Sequence, residues 1–297
     1  MNESDLLAHI YRRSAAPGGS ILVGPGDDCA VLRLADHPPA DVLLTTDQLI
    51  EGRHFEPGTP TALIAHKAVA RGLSDIAGMG GAPTAALAAV TLNDHFTGAD
   101  ELFDEMASIA RAWSCPLIGG DIAVSPSPLA LTVTVIGRTH AGRGPVLRSE
   151  AQPGDRVCVT GSIGGSLPSG RHLSFEPRLT EAAWLCDTLG DQLGAMIDIS
   201  DGLGRDAGRV ALASDVRLTL DASAIPLARE AEGWRAALAD GEDYELLFTA
   251  RRDPPARTPT GVPIAVIGVV RPGAGCIVRA PDGESFDAST LGWDHHA

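Results

Sequence analysis

The sequence predicts an α/β (α+β) protein built as two halves. Apolar runs of strand length alternate with segments of helical spacing. The same order of elements restarts after residue 155, and the turn-rich stretch GRGPVLRSEAQPGD separates the two series. A chain of 297 residues accommodates two domains of ordinary size, and the boundary is expected between residues 1–139 and 140–297.

In chain order, residues 4–14 read as a helix with Leu6, Leu7, Ile10 and Tyr11 on one stripe. CAVLRL (29–34) and DVLLTTD (41–47) read as strands joined by a polar, Pro-containing loop. Residues 60–72 have helical spacing behind a Thr59-Pro60 start. GLSDIAGMGGAP (72–83) reads as a glycine-rich turn and TAALAAVTL (84–92) as a buried strand. A second helix is expected over 98–113, then CPLIGGD (115–121) as a short strand entering a glycine turn, then the alternating strand LALTVTVIGRT (129–139). The second half restarts with the strand RVCVTG (156–161). Helices follow at 178–190 and 203–214, AMIDISDG (195–202) reads as a strand end and turn, and strands are expected near 215–220, 243–249, 263–270 and 275–280.

Composition narrows the function. Asp and Glu total 38 against 23 Lys and Arg, a formal charge of −15. A nucleic-acid binder with a basic face is excluded. The single lysine, Lys67, is not in a P-loop, so a P-loop NTPase is excluded, and Lys67 is expected to pack or pair on its helix. The five cysteines are scattered, which points to a reducing cytoplasm and no structural zinc. No window is long and apolar enough for a membrane span, and the start MNESDLLAHIYRR lacks the apolar region of a signal peptide.

Among 25 aspartates, seven sit next to glycine or small hydroxyl residues at the edge of apolar runs. They are Asp27 and Asp28 in GPGDD, Asp47 in TTD, Asp75 in LSDIA, Asp121 in GGD, and Asp198 and Asp201 in IDISDG. A lone aspartate of this kind is ordinarily a turn or cap residue. Seven at the core edge, with almost no lysine to pair them, point to a shared site for a divalent cation such as Mg²⁺. The bare backbone of Gly119-Gly120 also suits close approach to a phosphate.

The ordered set GPGDDCAV (24–31), TTDQLIEGRHF (45–55), HKA…LSDIAGMGG (66–81), GGD (119–121), LRS…PGDRVCVTG (147–161), AMIDISDGL (195–203) and GEDYELLFT (241–249) resembles the thiamine-monophosphate kinase family of the AIR synthase (PurM-like) superfamily. The resemblance implies a two-domain PurM-like fold: an N-terminal mixed-sheet domain that forms a barrel in a homodimer, and a C-terminal α/β sandwich. It implies ATP as co-substrate, several Mg²⁺ ions, and thiamine monophosphate as phosphoryl acceptor. The metal site implied is Asp28, with or without Asp27, together with Thr45, Thr46, Asp47, Asp75, Asp121, Asp198 and Asp201. Of these, Asp47, Asp75, Asp121 and Asp198 are the implied catalytic set. Gly120, Asp121, Arg148 and Ser200 are implied to contact ATP. His54, Glu242 or Asp243, and Trp293 are implied to contact thiamine phosphate.

The chain departs from the family pattern twice. Ile122-Ala123-Val124-Ser125 replaces the usual TTRG after GGD, and the segment 161–178 is short. Another small-molecule acceptor within the same superfamily, or a non-catalytic nucleotide-binding relative, are the alternatives. No nucleic-acid or membrane partner is expected.

Overall fold

A computed structural model describes residues 19–36 and 39–293. The helix expected over 4–14 and the tail residues His295 and His296 lie outside the described residues.

The first sheet contains β1 (Ile21–Val23), β2 (Ala30–Asp36), β3 (Pro39–Ile50), β4 (Ala82–Asn93), β5 (Leu117–Ser125) and β6 (Ala130–Arg138), in the order β1-β2-β3-β6-β4-β5. A parallel pair, β4 with β5, is joined by helix α2 (Ala99–Ala112), because parallel neighbours need a crossover. Helix α1 (Thr61–Gly78) joins β3 to β4. Strand alternation decides which side chains meet the helices. Leu43 and Leu49 of β3, Val133 and Val135 of β6, and Ala86 and Val90 of β4 form one core with Val69, Leu73 and Met106 of the helices. Thr45 and Asp47 share the parity of Leu43 and Leu49, so they emerge on the face covered by α1.

The second sheet contains β7 (Arg156–Thr160), β8 (Leu193–Asp198), β9 (Arg217–Asp221), β10 (Leu246–Ala250), β11 (Ile264–Arg271), β12 (Gly275–Arg279) and β13 (Ser285–Asp287), in the order β13-β12-β9-β11-β7-β10-β8. Its helices are the single turn α3 (Ser166–Ser169), α4 (Leu179–Leu189), α5 (Leu203–Ala213) and α6 (Trp234–Ala239). Both faces are covered, so alternate residues feed two cores. Val157, Val159, Ile197 and Leu247 pack with Val210 of α5, while Cys158, Met196 and Phe248 pack with Leu185 of α4. Ala77 of α1 joins the second of these cores, which seats the end of α1 between the two sheets.

Two of the differences from the sequence reading bear on the glycines of the site. The helix expected to stop at residue 72 continues to Gly78, so Asp75 lies in its last turn and not in a loop. Its glycines weaken the local helix signal, yet they allow close approach. A Cβ on Gly72 would lie 2.7 Å from Val135 Cγ2, and one on Gly78 would lie 2.5 Å from Asp28 Oδ2. The glycine turn expected at 119–121 is instead the middle of β5. A side chain on Gly120 would overlap the Ala88 carbonyl oxygen of the neighbouring strand, so strand packing already accounts for that glycine.

Candidate active site

Helix α1 is the spine of the site. Lys67, Arg71 and Asp75 recur every four residues, which puts them on one face. That face looks toward the end of β3 and toward the loops that follow β8 and precede β10 in the other sheet. Arg71 Nη2 lies 3.1 Å from Asp47 Oδ1, and Arg71 Nη1 donates to the Gln48 carbonyl at 2.7 Å. Lys67 does not pair on its own helix as expected. It pairs with Glu242 of the other half at 2.5 Å.

Three carboxylates meet at the lower end of this face. Asp28 comes from the turn before β2, Asp75 from the end of α1 and Asp198 from the end of β8. One carboxylate oxygen from each lies within 4.8 Å of the others. Burial, then the surrounding carboxylates, pushes Asp75 and Asp198 well above the ordinary carboxylate range. Burial raises Asp28 as well, although the Arg148 guanidinium works against it. Asp27 rises to about 7, first from burial and then from the charge of Asp28.

Few donors offset this repulsion. Ser74 Oγ donates to Asp198 Oδ2 at 2.6 Å, the Thr45 hydroxyl donates to Asp75, and Arg148 Nη2 donates to Asp28 Oδ1. Asp28 Oδ2 is buried and has no hydrogen-bond partner among the described residues. Oxygen donors from three elements, a surplus of negative charge and one orphaned buried oxygen fit a hard divalent cation. Asp27 is turned aside, accepting from the Arg148 and Asp28 backbone N–H groups at 3.1 and 3.0 Å. Of the two neighbours, Asp28 is the cluster member.

Along the same face of α1, at Arg71, a cavity is lined by Asp47, Arg53, His54, Arg71, Ser200, Asp201, Glu242, Tyr244 and Trp293, among others. His54 Nδ1 accepts the Ile50 N–H at 2.9 Å. In the neutral ring the proton therefore sits on Nε2, which makes that atom a donor. Glu242 is held at about 2: burial opposes its charge, but His172 and Lys67 outweigh burial. The Arg53 guanidinium lies 5.3 Å from the centre of the Trp293 ring, a cation–π contact. Asp201 pairs with Arg209 at 2.5 Å, and Asp206 accepts the Ser200 and Asp201 N–H groups at 3.1 and 3.0 Å, fixing the turn.

Other implied residues fall elsewhere. Thr46 has the opposite parity to Thr45 and Asp47, so its hydroxyl meets Thr134 at 3.0 Å on the far face of the sheet. Asp243 is buried and bonds Gly164 N–H at 2.9 Å and Arg171 Nη2 at 2.6 Å, so Glu242 is the one of the pair that reaches the cavity. Gly120 and Asp121 are not brought to the cluster within one chain. Gly120 pairs with Ala88, Ala88 with Val133 and Val133 with Asp47. Three strand spacings, about 14 Å, separate Gly120 from Asp47.

Sequence reading passed over Arg71, Ser74, Tyr244 and Asp206. The signal available for Arg71 was its place between Lys67 and Asp75 on an otherwise apolar helix. Nothing local pointed to Tyr244, which stacks on Phe175 of the short segment with ring centres 3.7 Å apart.

The family model described as "AIR synthase related protein, N-terminal domain" matches residues 26–139. A thiamine-monophosphate kinase of Rhodopirellula baltica is 34% identical, covering 90% of this chain and 89% of that protein. That of Escherichia coli is 32% identical, covering 99% and 98%. Among solved structures, AaThiL complexed with AMPPCP and TMP superposes with a TM-score of 0.79 at 27% identity, covering 99% of this chain and 97% of the other.

Proposed function

The chain belongs to the thiamine-monophosphate kinase family of the AIR synthase superfamily, and from that premise we propose that it transfers the γ-phosphoryl group of ATP to thiamine monophosphate, giving thiamine diphosphate. The observation that carries the proposal is the pairing of the Asp28, Asp75 and Asp198 cluster with a cavity lined by Asp47, Arg71, His54, Glu242 and Trp293, Arg71 lying one turn before Asp75 on α1.

The acceptor is a phosphate monoester that is already largely ionised at neutral pH, because its second pKa is about 6. No strong base is required. The obstacle is repulsion between two polyanions in a protein of charge −15. Mg²⁺ held by Asp28, Asp75 and Asp198, with Asp47 beside them, supplies the neutralising charge when bound. The chain's own groups position the reactants. His54 Nε2 donates to the acceptor phosphate. Glu242, kept ionised by Lys67 and His172, receives the cationic end of thiamine. Trp293 offers an aromatic face to the thiazolium, in exchange for its contact with Arg53. Arg71, Arg148 and Ser200 serve the polyphosphate, and the Asp201 turn holds Ser200 in place.

We place Gly120 and Asp121 in this reading through a homodimer. They lie on β5, the edge strand of the sheet among the described residues, where Ile118, Ile122 and Val124 are exposed at 63, 58 and 66%. An exposed apolar edge strand favours pairing with another chain. Joining the N-terminal sheets, residues 1–139 of each subunit, would bring the two residues to the neighbouring site, with residues 140–297 as the second domain. The protein is read as cytoplasmic; no helix among the described residues is long and apolar enough to cross a membrane.

The test is incubation with ATP, Mg²⁺ and thiamine monophosphate, followed by chromatography. Thiamine diphosphate is the expected product. ATP consumed only with a different acceptor would redirect the reading to another small molecule. Binding of ATP without turnover on any acceptor would make the chain a non-catalytic relative.

A further inference from the structure

Lys67 is the only lysine in the chain, and its side chain is wholly buried. Burying an ammonium is costly unless its charge and its three donors are matched. Nζ has three partners: the His54 carbonyl at 2.7 Å, His172 Nδ1 at 2.9 Å and Glu242 Oε2 at 2.5 Å. They belong to three separate segments: the turn after β3, the 3₁₀ turn Arg171–Leu173 and the loop before β10. His172 Nδ1 also lies 3.0 Å from Glu242 Oε2. One ring nitrogen cannot accept from Lys67 and donate to Glu242 at once, so ammonium, imidazole and carboxylate divide the protons of a closed triangle.

Two cavity walls are fixed by this one ammonium. The His54 backbone belongs to the first half, Glu242 to the second, and both side chains line the same cavity. Both contacts to Glu242 fall on Oε2, which leaves Oε1 for the cavity. Glu242 sits in a loop held at positive φ (52°), with its N–H bonded to Ser200 O at 2.6 Å. Its backbone is thus tied to the turn that carries Ser200, and its side chain to Lys67. His172 comes from the shortened segment 161–178, so the departure from the family pattern supplies one corner of the triangle.

Resting on the kinase reading above, we infer that Lys67 is a positioning residue for the phosphoryl acceptor: with His172 it sets the spacing between His54 and Glu242, and so governs recognition of thiamine monophosphate and not of ATP. Arg71 and Asp75, one and two turns further along α1, face Asp47 and the carboxylate cluster. The helix thereby separates an acceptor end at Lys67 from a metal end at Asp75.

The test is steady-state kinetics of the full chain with both substrates varied, for wild type, Lys67→Met, Lys67→Arg and His172→Gln. Lys67→Met is expected to raise the KM for thiamine monophosphate by roughly tenfold or more while the KM for ATP stays within about twofold. His172→Gln should move the same constant in the same direction, and Lys67→Arg should recover part of the loss. A role in folding alone would lower thermal stability and the active fraction with both KM values unchanged, and that result overturns the inference. If Lys67→Met does not fold, His172→Gln carries the test, and an unmoved acceptor KM there overturns it equally. Wild type that makes no thiamine diphosphate defeats the functional reading and this inference together. Wild-type turnover with unmoved acceptor constants in the variants defeats this inference alone.

Discussion

Ser74 Oγ donates to Asp198 Oδ2 at 2.6 Å, joining the last turns of α1 to the end of β8 in the other sheet. The two residues are 124 positions apart, and both are buried. This bond holds one carboxylate of the cluster in a fixed orientation from across the two halves of the chain.

Removing that donor should be felt at the metal. Ser74→Ala leaves a buried charged acceptor without its partner, a loss of about 1–3 kcal/mol. The expected outcome is a Mg²⁺ requirement for half-maximal activity about tenfold higher, with little change in the KM for thiamine monophosphate. A titration of activity against Mg²⁺ measures it. An unchanged midpoint would mean that Asp198 does not hold the ion.

Asp75→Asn should separate stability from activity. Like charges buried together destabilise the metal-free protein, so removing one relieves repulsion while the Thr45 hydroxyl keeps an acceptor. Melting in chelator should occur several degrees higher than for wild type, whereas turnover in Mg²⁺ falls by about 10²-fold or more. A variant that melts lower in chelator and retains its activity would falsify the assignment of Asp75 to the cluster.

The pH dependence of stability has a defined sign. Asp27 is raised from 3.8 to about 7, and Asp28, Asp75 and Asp198 are raised as well, chiefly by burial. Raised carboxylates bind protons more tightly in the folded state. Their contribution is therefore fully present below the ordinary value of 3.8 and is lost as pH rises through the folded value, about 7 for Asp27. Metal-free protein should lose stability across this window, and Mg²⁺ should release protons on binding. The gain in melting temperature on adding Mg²⁺ should then grow from pH 5 to pH 7.5. A gain that shrinks over the same range would contradict the picture.

Mixing subunits tests the placement of Asp121. Asp121→Asn and Asp75→Asn should each be inactive as pure proteins. If a site combines Asp75 of one subunit with Asp121 of the other, co-expression restores activity, because one intact site forms in each mixed dimer. Ile122→Glu, which puts a charge on the exposed edge, should yield a monomer by light scattering and abolish turnover. Continued inactivity of the mixed population, with dimers present, would rule out a site that combines Asp75 of one subunit with Asp121 of the other.

How far the site was legible follows from the range of each cause. Strand alternation is local, so the parity of Thr45, Thr46 and Asp47 was already written in TTD, although only β3's packing on α1 decided which parity faces the cluster. The helix end was misread because Gly72 and Gly78 weaken the local helix signal, and their purpose, contact with Val135 and Asp28, lies in residues far along the chain. Glycine at 120 reads in sequence only as close backbone approach to a phosphate; its crowding against the Ala88 carbonyl shows only once β4 and β5 pair.

By itself the sequence determined the fold class, the two-part organisation, the family motifs and the surplus of aspartate over lysine. These are set by residue type and short-range periodicity. Only the tertiary structure decided that Asp28 and not Asp27 joins Asp75 and Asp198, that Glu242 and not Asp243 reaches the cavity, and that the sole lysine spans the two halves. The physical reason is distance along the chain. A carboxylate's partners are chosen by which elements pack together, and Lys67 meets a glutamate 175 residues away because α1 is clamped between two sheets.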